Sequence, residues 1–302
     1  VNSEGFYRSP AAFRRALTDK LREKAKTSRW TLPQLQRQMA YDRLLERLYL
    51  MDEGWVVKGA TALLARDLGV RETVDVDVYR AAACNVAEAE LREAAATGIG
   101  DWFRFEVGPG RQVSGVAGGV RLPVTAYVGA TQWCGFRVDL VGSEVQITGQ
   151  PEHVPPLARI AMPDLKQHGY RAYPLVDHVA DKVAAILQPY GAAGVPSTRY
   201  KDLVDLVAIV TQASVGAEPQ VAALQSEADR RRITLPATFT VPDRRLWERG
   251  YAAEAARSLL PAALGLDDAL GVVKPFLDPL LDLNAAGTWN PKDSRWESSH
   301  FV

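Results

Sequence analysis

Apolar residues recur at helical spacing along the first fifty positions. Ser9-Pro10 supplies an N-cap followed by proline at the first helical position, which opens a helix to about Lys26. Leu35, Met39, Tyr41, Leu44, Leu45 and Leu48 then recur near a 3.6-residue period and predict a second helix from about Leu32 to Met51. At Trp55-Val56-Val57-Lys58 the pattern changes to a short apolar run, which reads as a buried strand. Gly59-Ala60-Thr61 turns from it into a short helix, Ala62 to Leu68, with Gly69 placed to end it. Val74-Asp75-Val76-Asp77-Val78 alternates strictly, so a strand here turns three valines to one face and two aspartates to the other. A helix is expected from Ala87 to Ala96, and strands around Trp102 to Val107, Leu122 to Val128 and Phe136 to Val141. The last of these carries one acid, Asp139.

Pro151, Pro155, Pro156 and Pro163 mark a linker-like stretch, and the chain beyond reads as helical. Val176, Val179, Val183, Ile186 and Leu187 form one apolar stripe; further helices are predicted over Thr198 to Val210, Pro219 to Asp229, Pro242 to Leu259 and Asp267 to Leu283. Pro275 and Pro279 predict that the last is kinked or split. The expected class is α/β: a mixed-sheet core with N-terminal helices over residues 1–150, a helical domain over 151–285 that completes a cleft, and a loosely ordered tail over 286–302 with Trp289 and Trp296 as anchors.

Composition narrows the function classes. The chain has 302 residues, 47% apolar and 24% charged, enough for one large domain or two modest ones. It has no apolar run long enough to span a membrane, and no basic start followed by an apolar stretch. Cys84 and Cys134 give no disulfide framework, so two buried thiols and a cytoplasmic location are expected. A formal net charge of zero argues against a protein that coats nucleic acid by bulk charge. Arg8, Arg14, Arg15, Lys20, Arg22, Lys24, Lys26, Arg29, Arg37, Arg43 and Arg47 nevertheless crowd the first fifty residues against only five acids. They make either a local positive surface that steers a polyanion or an ordinary solvated helix face. His153, His168, His178 and His300 lack metal-ligand spacing with the cysteines, which argues against structural zinc, and no Ser- or Cys-nucleophile motif occurs.

The acids are the chemistry-bearing residues. Two carboxylates two residues apart on one strand face suit Mg²⁺, which takes hard oxygen ligands and completes its shell with substrate phosphates. Asp139, on a neighbouring strand, would complete a metal clamp for in-line displacement at phosphorus. The backbone of the Gly59-Ala60-Thr61 turn would favour a triphosphate, Thr61 adds a hydroxyl, and Arg71 and Thr73 sit just before the acids, where they would meet phosphate or base. Each motif is weak alone, because surface strands often alternate charge with apolar residues. The order strand, Gly-turn, helix, Arg-x-Thr-x-Asp-x-Asp, strand Asp is far more specific.

Lys58-Gly59-Ala60-Thr61-Ala62-Leu63 followed by Arg71-Glu72-Thr73-Val74-Asp75-Val76-Asp77-Val78 resembles the first motif of the AbiEii/AbiGii toxins, nucleotidyltransferase-fold proteins of abortive-infection and type IV toxin–antitoxin systems. So do the preceding helix with Tyr41-Asp42-Arg43-Leu44-Leu45-Glu46-Arg47-Leu48, the later Asp181-Lys182-Val183-Ala184-Ala185, and Arg199-Tyr200-Lys201-Asp202-Leu203-Val204-Asp205-Leu206. The resemblance covers about residues 30 to 210. It departs at Ala60, where the family has a second glycine and a methyl would narrow the approach of phosphate.

The resemblance implies a nucleotidyltransferase that moves NMP from an NTP with Mg²⁺ or Mn²⁺, most readily to the tRNA 3′ end or another RNA, and it admits a cognate antitoxin as partner. A protein or small-molecule acceptor, or a non-catalytic nucleotide-binding regulator, are the alternatives. It makes Asp75, Asp77 and Asp139 the metal and catalytic acids and Lys182 the motif lysine. One of Asp202 and Asp205 becomes a further catalytic aspartate, with Asp202 slightly preferred. Lys58, Gly59, Ala60, Thr61, Arg71, Thr73 and Arg199 form the nucleotide-binding set. A phosphate on Thr73 would set negative charge against the nucleotide, so Thr73→Glu is expected to lower activity.

Overall fold

The computed structural model describes residues 6–69, 71–113, 119–260 and 265–298, and its chain divides into two compact units. Unit 1 comprises Val1–Arg66, Thr73–Gln146 and Pro151–Ala172; unit 2 comprises Asp67–Glu72, Ile147–Gln150 and Tyr173–Val302.

In unit 1, α1 (Pro10–Thr27) begins where Ser9 Oγ accepts from the Ala12 N–H, as its Ser-Pro start predicts. α2 (Leu32–Met51) is sunk into the core, with every residue from Gln38 to Leu48 buried. Its charges therefore need internal partners. Arg43 Nε donates to Asp101 Oδ2 at 2.6 Å, and Arg47 to Asp101 Oδ1 at 2.6 Å and to the Phe103 carbonyl at 2.8 Å. Asp42 accepts from the Leu157 and Ala158 N–H groups at 2.9 and 2.8 Å, from Gln167, and from the Tyr170 hydroxyl. Burial pushes the Asp42 carboxyl up to about 6 against the pull of those donors. Arg43 and Arg47 thus leave the expected positive surface for the interior, whereas Arg8, Arg15 and Lys20 remain exposed.

The sheet is built from β1 (Trp55–Lys58), β2 (Asp75–Arg80), β3 (Phe103–Val107), β4 (Arg111–Gln112), β5 (Val120–Val128), β6 (Thr131–Val141), β7 (Glu152–Val154) and β8 (Tyr170–Ala172). Their order is β3-β5-β6-β2-β1-β8-β7, with β4 beside β5. The sheet is mixed: β2 runs parallel to β6 and β1 to β8, and the other pairs are antiparallel. One face carries Val76, Val78, Leu122, Val124, Phe136, Val138 and Leu140 into a core shared with α2 and α4 (Cys84–Ala96). Period-two alternation leaves the opposite face polar. The short α3 (Gly59–Ala65) joins β1 toward β2; it begins three residues earlier than the sequence predicts.

Unit 2 contains α5 (Leu175–Leu187), α6 (Tyr200–Gln212), α7 (Ala217–Arg231), α8 (Arg244–Ala255), α9 (Leu266–Leu281) and the hairpin β9 (Thr288–Asn290) with β10 (Arg295–Glu297). α5 packs on α6 and α7, and α6 on α8 and α9. Trp247 and Trp289 anchor this packing: both are buried, and their indole N–H groups donate to the carbonyls of Ser197 and Val210 at 2.8 Å.

Other observed features also differ from expectation. Residues 151–172, expected in the helical domain, join unit 1, because β8 extends the sheet at Val57↔Ala172 and Asp42 ties down the loop before it. The segment expected as a loose tail forms the β9–β10 hairpin, with Trp296 stacked on Phe276; His300 lies outside the described residues. α9 runs through Pro275 and Pro279 as one helix. Cys84 and Cys134 are free and only half-buried, and burial raises the Cys134 thiol to about 11. Among the described residues no helix is long and apolar enough to cross a membrane.

Candidate active site

The predicted residues gather into two clusters, one in each unit. In unit 1 the polar sheet face carries a row of charges in register: Lys58 on β1 opposite Asp77 on β2, Asp77 opposite Asp139 on β6, and Asp139 opposite Arg121 on β5. One step along, Asp75 lies opposite Arg137. Residues directly opposite in neighbouring strands share a face, as do residues two apart in one strand, so all six side chains project from the same side.

The acids are held individually. Asp139 accepts a bidentate pair from Arg121, Nε to Oδ1 at 2.7 Å and Nη2 to Oδ2 at 2.6 Å. Those bonds, with the charges of Asp139, Asp75 and Asp77, raise the guanidinium of Arg121 above its ordinary value. Asp75 Oδ1 accepts from Arg137 Nε at 2.6 Å. Asp77 lies flush on Gly59, where a Cβ would stand 2.0 Å from its Oδ2. Gly59 also has φ +56°, a conformation that strains any residue bearing a side chain. Glycine is therefore required at Gly59 twice over. Ala60 sits inside α3 with ordinary helical backbone, so the departure from the family pattern falls where a methyl is tolerated.

Thr61 and Thr73 act on the acids from behind. The buried Thr61 hydroxyl donates to the Asp75 carbonyl at 3.1 Å, and the Thr73 hydroxyl donates to the same oxygen at 2.9 Å. Both are expected to face a nucleotide, yet their hydroxyl protons fix the start of the acid strand. Lys58 is buried beside Asp77.

The second cluster lies in unit 2. Lys182, only 6% exposed on α5, donates to Asp205 Oδ2 at 2.7 Å and to Asp202 Oδ1 at 3.1 Å, both on α6. Arg71 forks onto Asp205 at 2.9 and 2.8 Å, and Arg199 donates to Asp202 Oδ2 at 2.6 Å. The result is a chain of alternating charges, Arg71–Asp205–Lys182–Asp202–Arg199. Burial pulls the Lys182 ammonium down, but Asp205 and then Asp202 outweigh it and leave it raised. Burial pushes the Asp205 carboxyl up, but Lys182 and Arg71 overcome that and hold it at about 2. The choice between Asp202 and Asp205 thus becomes a pair, since both grip the lysine.

The same arrangement shows what sequence reasoning missed. Arg137 lies two residues before Asp139, so its shared face was readable from the alternation; Arg121 depends on strand register, which the sequence does not display. Among the described residues no three His, Cys, Asp or Glu side chains form a ready metal cage. The donor set of Asp75 and Asp77, all oxygen on one half-exposed strand face, still fits a hard divalent cation that completes its shell with phosphate.

The family described as nucleotidyl transferase AbiEii toxin, type IV TA system, matches residues 43–272. The chain belongs to that family. Among solved structures, the AbiEii-family chain is similar to MenT4, a nucleotidyltransferase toxin from Mycobacterium tuberculosis H37Rv, at 17% identity and a TM-score of 0.48, covering 88% of this chain and 98% of that one. It is also similar to JHP933 from Helicobacter pylori, at 14% identity and a TM-score of 0.45, covering 82% and 91%. No curated protein matches it. Family membership makes the chain a nucleotidyltransferase of the toxin type.

Proposed function

We propose that this nucleotidyltransferase moves a nucleoside monophosphate from an NTP to an RNA hydroxyl, most favourably the 3′ acceptor end of tRNA, and so blocks translation in the cytoplasm. The observation that carries the chemistry is the register Asp77↔Asp139 with Asp75 two residues earlier, three carboxylates on one accessible sheet face. The acceptor rests on family likeness, as does a cognate antitoxin as partner.

In the proposed reaction the acceptor oxygen attacks the α-phosphorus, the bond to the bridging oxygen breaks, and pyrophosphate leaves with that electron pair. Asp75, Asp77 and Asp139 would hold a divalent cation, Mg²⁺ or Mn²⁺, which would supply Lewis-acid polarisation of the phosphate. Asp139 accepts the hydroxyl proton. Lys182, kept charged by Asp202 and Asp205, offsets negative charge on the phosphates. Lys58, Gly59, Ala60, Arg71 and Arg199 complete the proposed nucleotide-binding set, with Thr61 and Thr73 positioning Asp75.

The test is label transfer. The protein is incubated with Mg²⁺, total tRNA and each α-labelled NTP in turn, beside Asp77→Asn. Label on tRNA with one NTP, absent from the variant, supports the reading. Label on protein or a small molecule keeps the chemistry and overturns the acceptor; no transfer to any acceptor, with NTP still bound, overturns the enzyme reading in favour of a regulator.

A further inference from the structure

The charges of the six residues in the row around the acids balance. Asp75, Asp77 and Asp139 supply three negative charges; Lys58, Arg121 and Arg137 supply three positive ones. Carboxylates on adjacent strands stand about 5 Å apart and repel unless something cationic sits between or beside them. Here the arginines do that work. Arg121 occupies both oxygens of Asp139, and Arg137 occupies one of Asp75. Neither arginine is locked in the core: their side chains are 40% and 45% exposed. They hold the acids from partly exposed positions, more open to solvent than the carboxylates they pair with.

We infer that Arg121 and Arg137 are exchangeable counter-ions, which neutralise Asp139 and Asp75 before substrate arrives and are displaced onto the NTP polyphosphate when a divalent cation takes the acids. This rests on the reading that those acids hold the cation. A divalent ion and a guanidinium cannot both use the same carboxylate lone pairs, so the two compete. A triphosphate carries several negative charges, and guanidinium groups match phosphate oxygens in forked geometry. Once freed beside the acids, the arginines meet that charge. Cation and nucleotide binding are then coupled: the bare cation must expel the arginines, whereas the cation with NTP gives them new partners. The device keeps a toxin's acids from loading metal without substrate.

Opposite signs in two measurements separate this role from simple packing. Mn²⁺ binding is followed by electron paramagnetic resonance of the free ion, without nucleotide, for the wild-type protein, Arg137→Gln, Arg121→Gln and Asp77→Asn. Binding of each of the four NTPs is then measured by calorimetry at saturating Ca²⁺, with Arg137→Lys added to the series. Removing a half-exposed ion pair is expected to tighten bare Mn²⁺ binding about three- to tenfold. The same glutamine variants are expected to weaken NTP binding by about tenfold, with Arg137→Lys recovering part of it. Unchanged or weaker Mn²⁺ binding in the glutamine variants, or unchanged NTP affinity, overturns the inference. Mn²⁺ binding that Asp77→Asn leaves untouched overturns instead the reading of the acids as the cation site. Thermal unfolding of each variant confirms that it is folded, as exposed side chains lead one to expect.

Discussion

Replacing Lys182 by methionine removes the central cation of the unit 2 cluster while nearly conserving its volume. Asp202 and Asp205 would then face each other across the vacated position, both almost fully buried. Breaking a buried ion pair by deleting one partner typically costs about 3–5 kcal/mol, because the remaining charge is left poorly solvated. Two arginines soften the loss here: Arg71 keeps its fork on Asp205, and Arg199 its bond to Asp202. We therefore expect Lys182→Met to destabilise unit 2 by about 2–3 kcal/mol at neutral pH. The acid limb gives an independent check. The Asp205 carboxyl falls from 3.8 to about 2 on folding, a stabilisation of about 2 kcal/mol. Because the folded value is the lower one, that stability is complete above pH 4 and is lost as pH falls toward 2. Without Lys182, burial regains weight against Arg71 alone, so the loss should begin at higher pH. Urea unfolding from pH 7 down to pH 3, with amide exchange over α5 and α6 to read unit 2 locally, measures both effects. A double-mutant cycle should find Lys182 coupled more strongly to Asp205, the nearer and more buried partner, than to Asp202. Unchanged amide protection and an unchanged acid limb in Lys182→Met would refute the argument that this lysine is an energetic keystone.

Three further outcomes follow from unit 1. Gly59→Ala should abolish nucleotidyl transfer, since its Cβ would drive Asp77 aside from 2.0 Å, whereas Ala60→Gly should keep activity and cost only about 1 kcal/mol of helix stability in a thermal melt. Thr61→Val and Thr73→Val each remove one hydroxyl from the Asp75 carbonyl; each should lose about 1 kcal/mol in urea unfolding, and the double variant should lower kcat more than it raises KM. Asp101→Asn leaves Arg43 and Arg47 buried without their shared carboxylate, so a loss of about 3–5 kcal/mol and poor soluble yield are expected, although the residue belongs to neither cluster.

What could be read from the chain divides along physical lines. The first two helices were legible because Ser9-Pro10 and a 3.6-residue apolar period are local signals, and the acid strand because alternation is local too. β8 was not: three residues carry too little pattern, and the strand forms between a parallel edge offered by β1 at Val57 and antiparallel pairing with β7. The β9–β10 hairpin was missed for a similar reason, its stability coming from Trp289 and Trp296 packed on Phe276 rather than from its own alternation. The continuity of α9 through two prolines likewise depends on the packing of Phe276, Leu277 and Leu280, which propensity alone does not contain.

The candidate site shows the same boundary more sharply. Residue types and spacing singled out Asp75, Asp77 and Asp139, and the family resemblance singled out Lys182. Their present partners were not readable. Arg43 and Arg47 looked like surface charge by composition and are core residues, since only the fold brings Asp101 to them. Thr61 and Thr73 looked like substrate ligands by position and instead converge on one backbone carbonyl. Arg121 becomes a partner of Asp139 only because β5 pairs with β6 in a register that sets the two opposite. A shift of one residue in that pairing would turn Arg121 into the apolar core and strip Asp139 of its counter-ion. The apolar alternation Val120, Leu122, Val124, Ala126 that buries one face of β5 is therefore also what delivers the arginine to the acid.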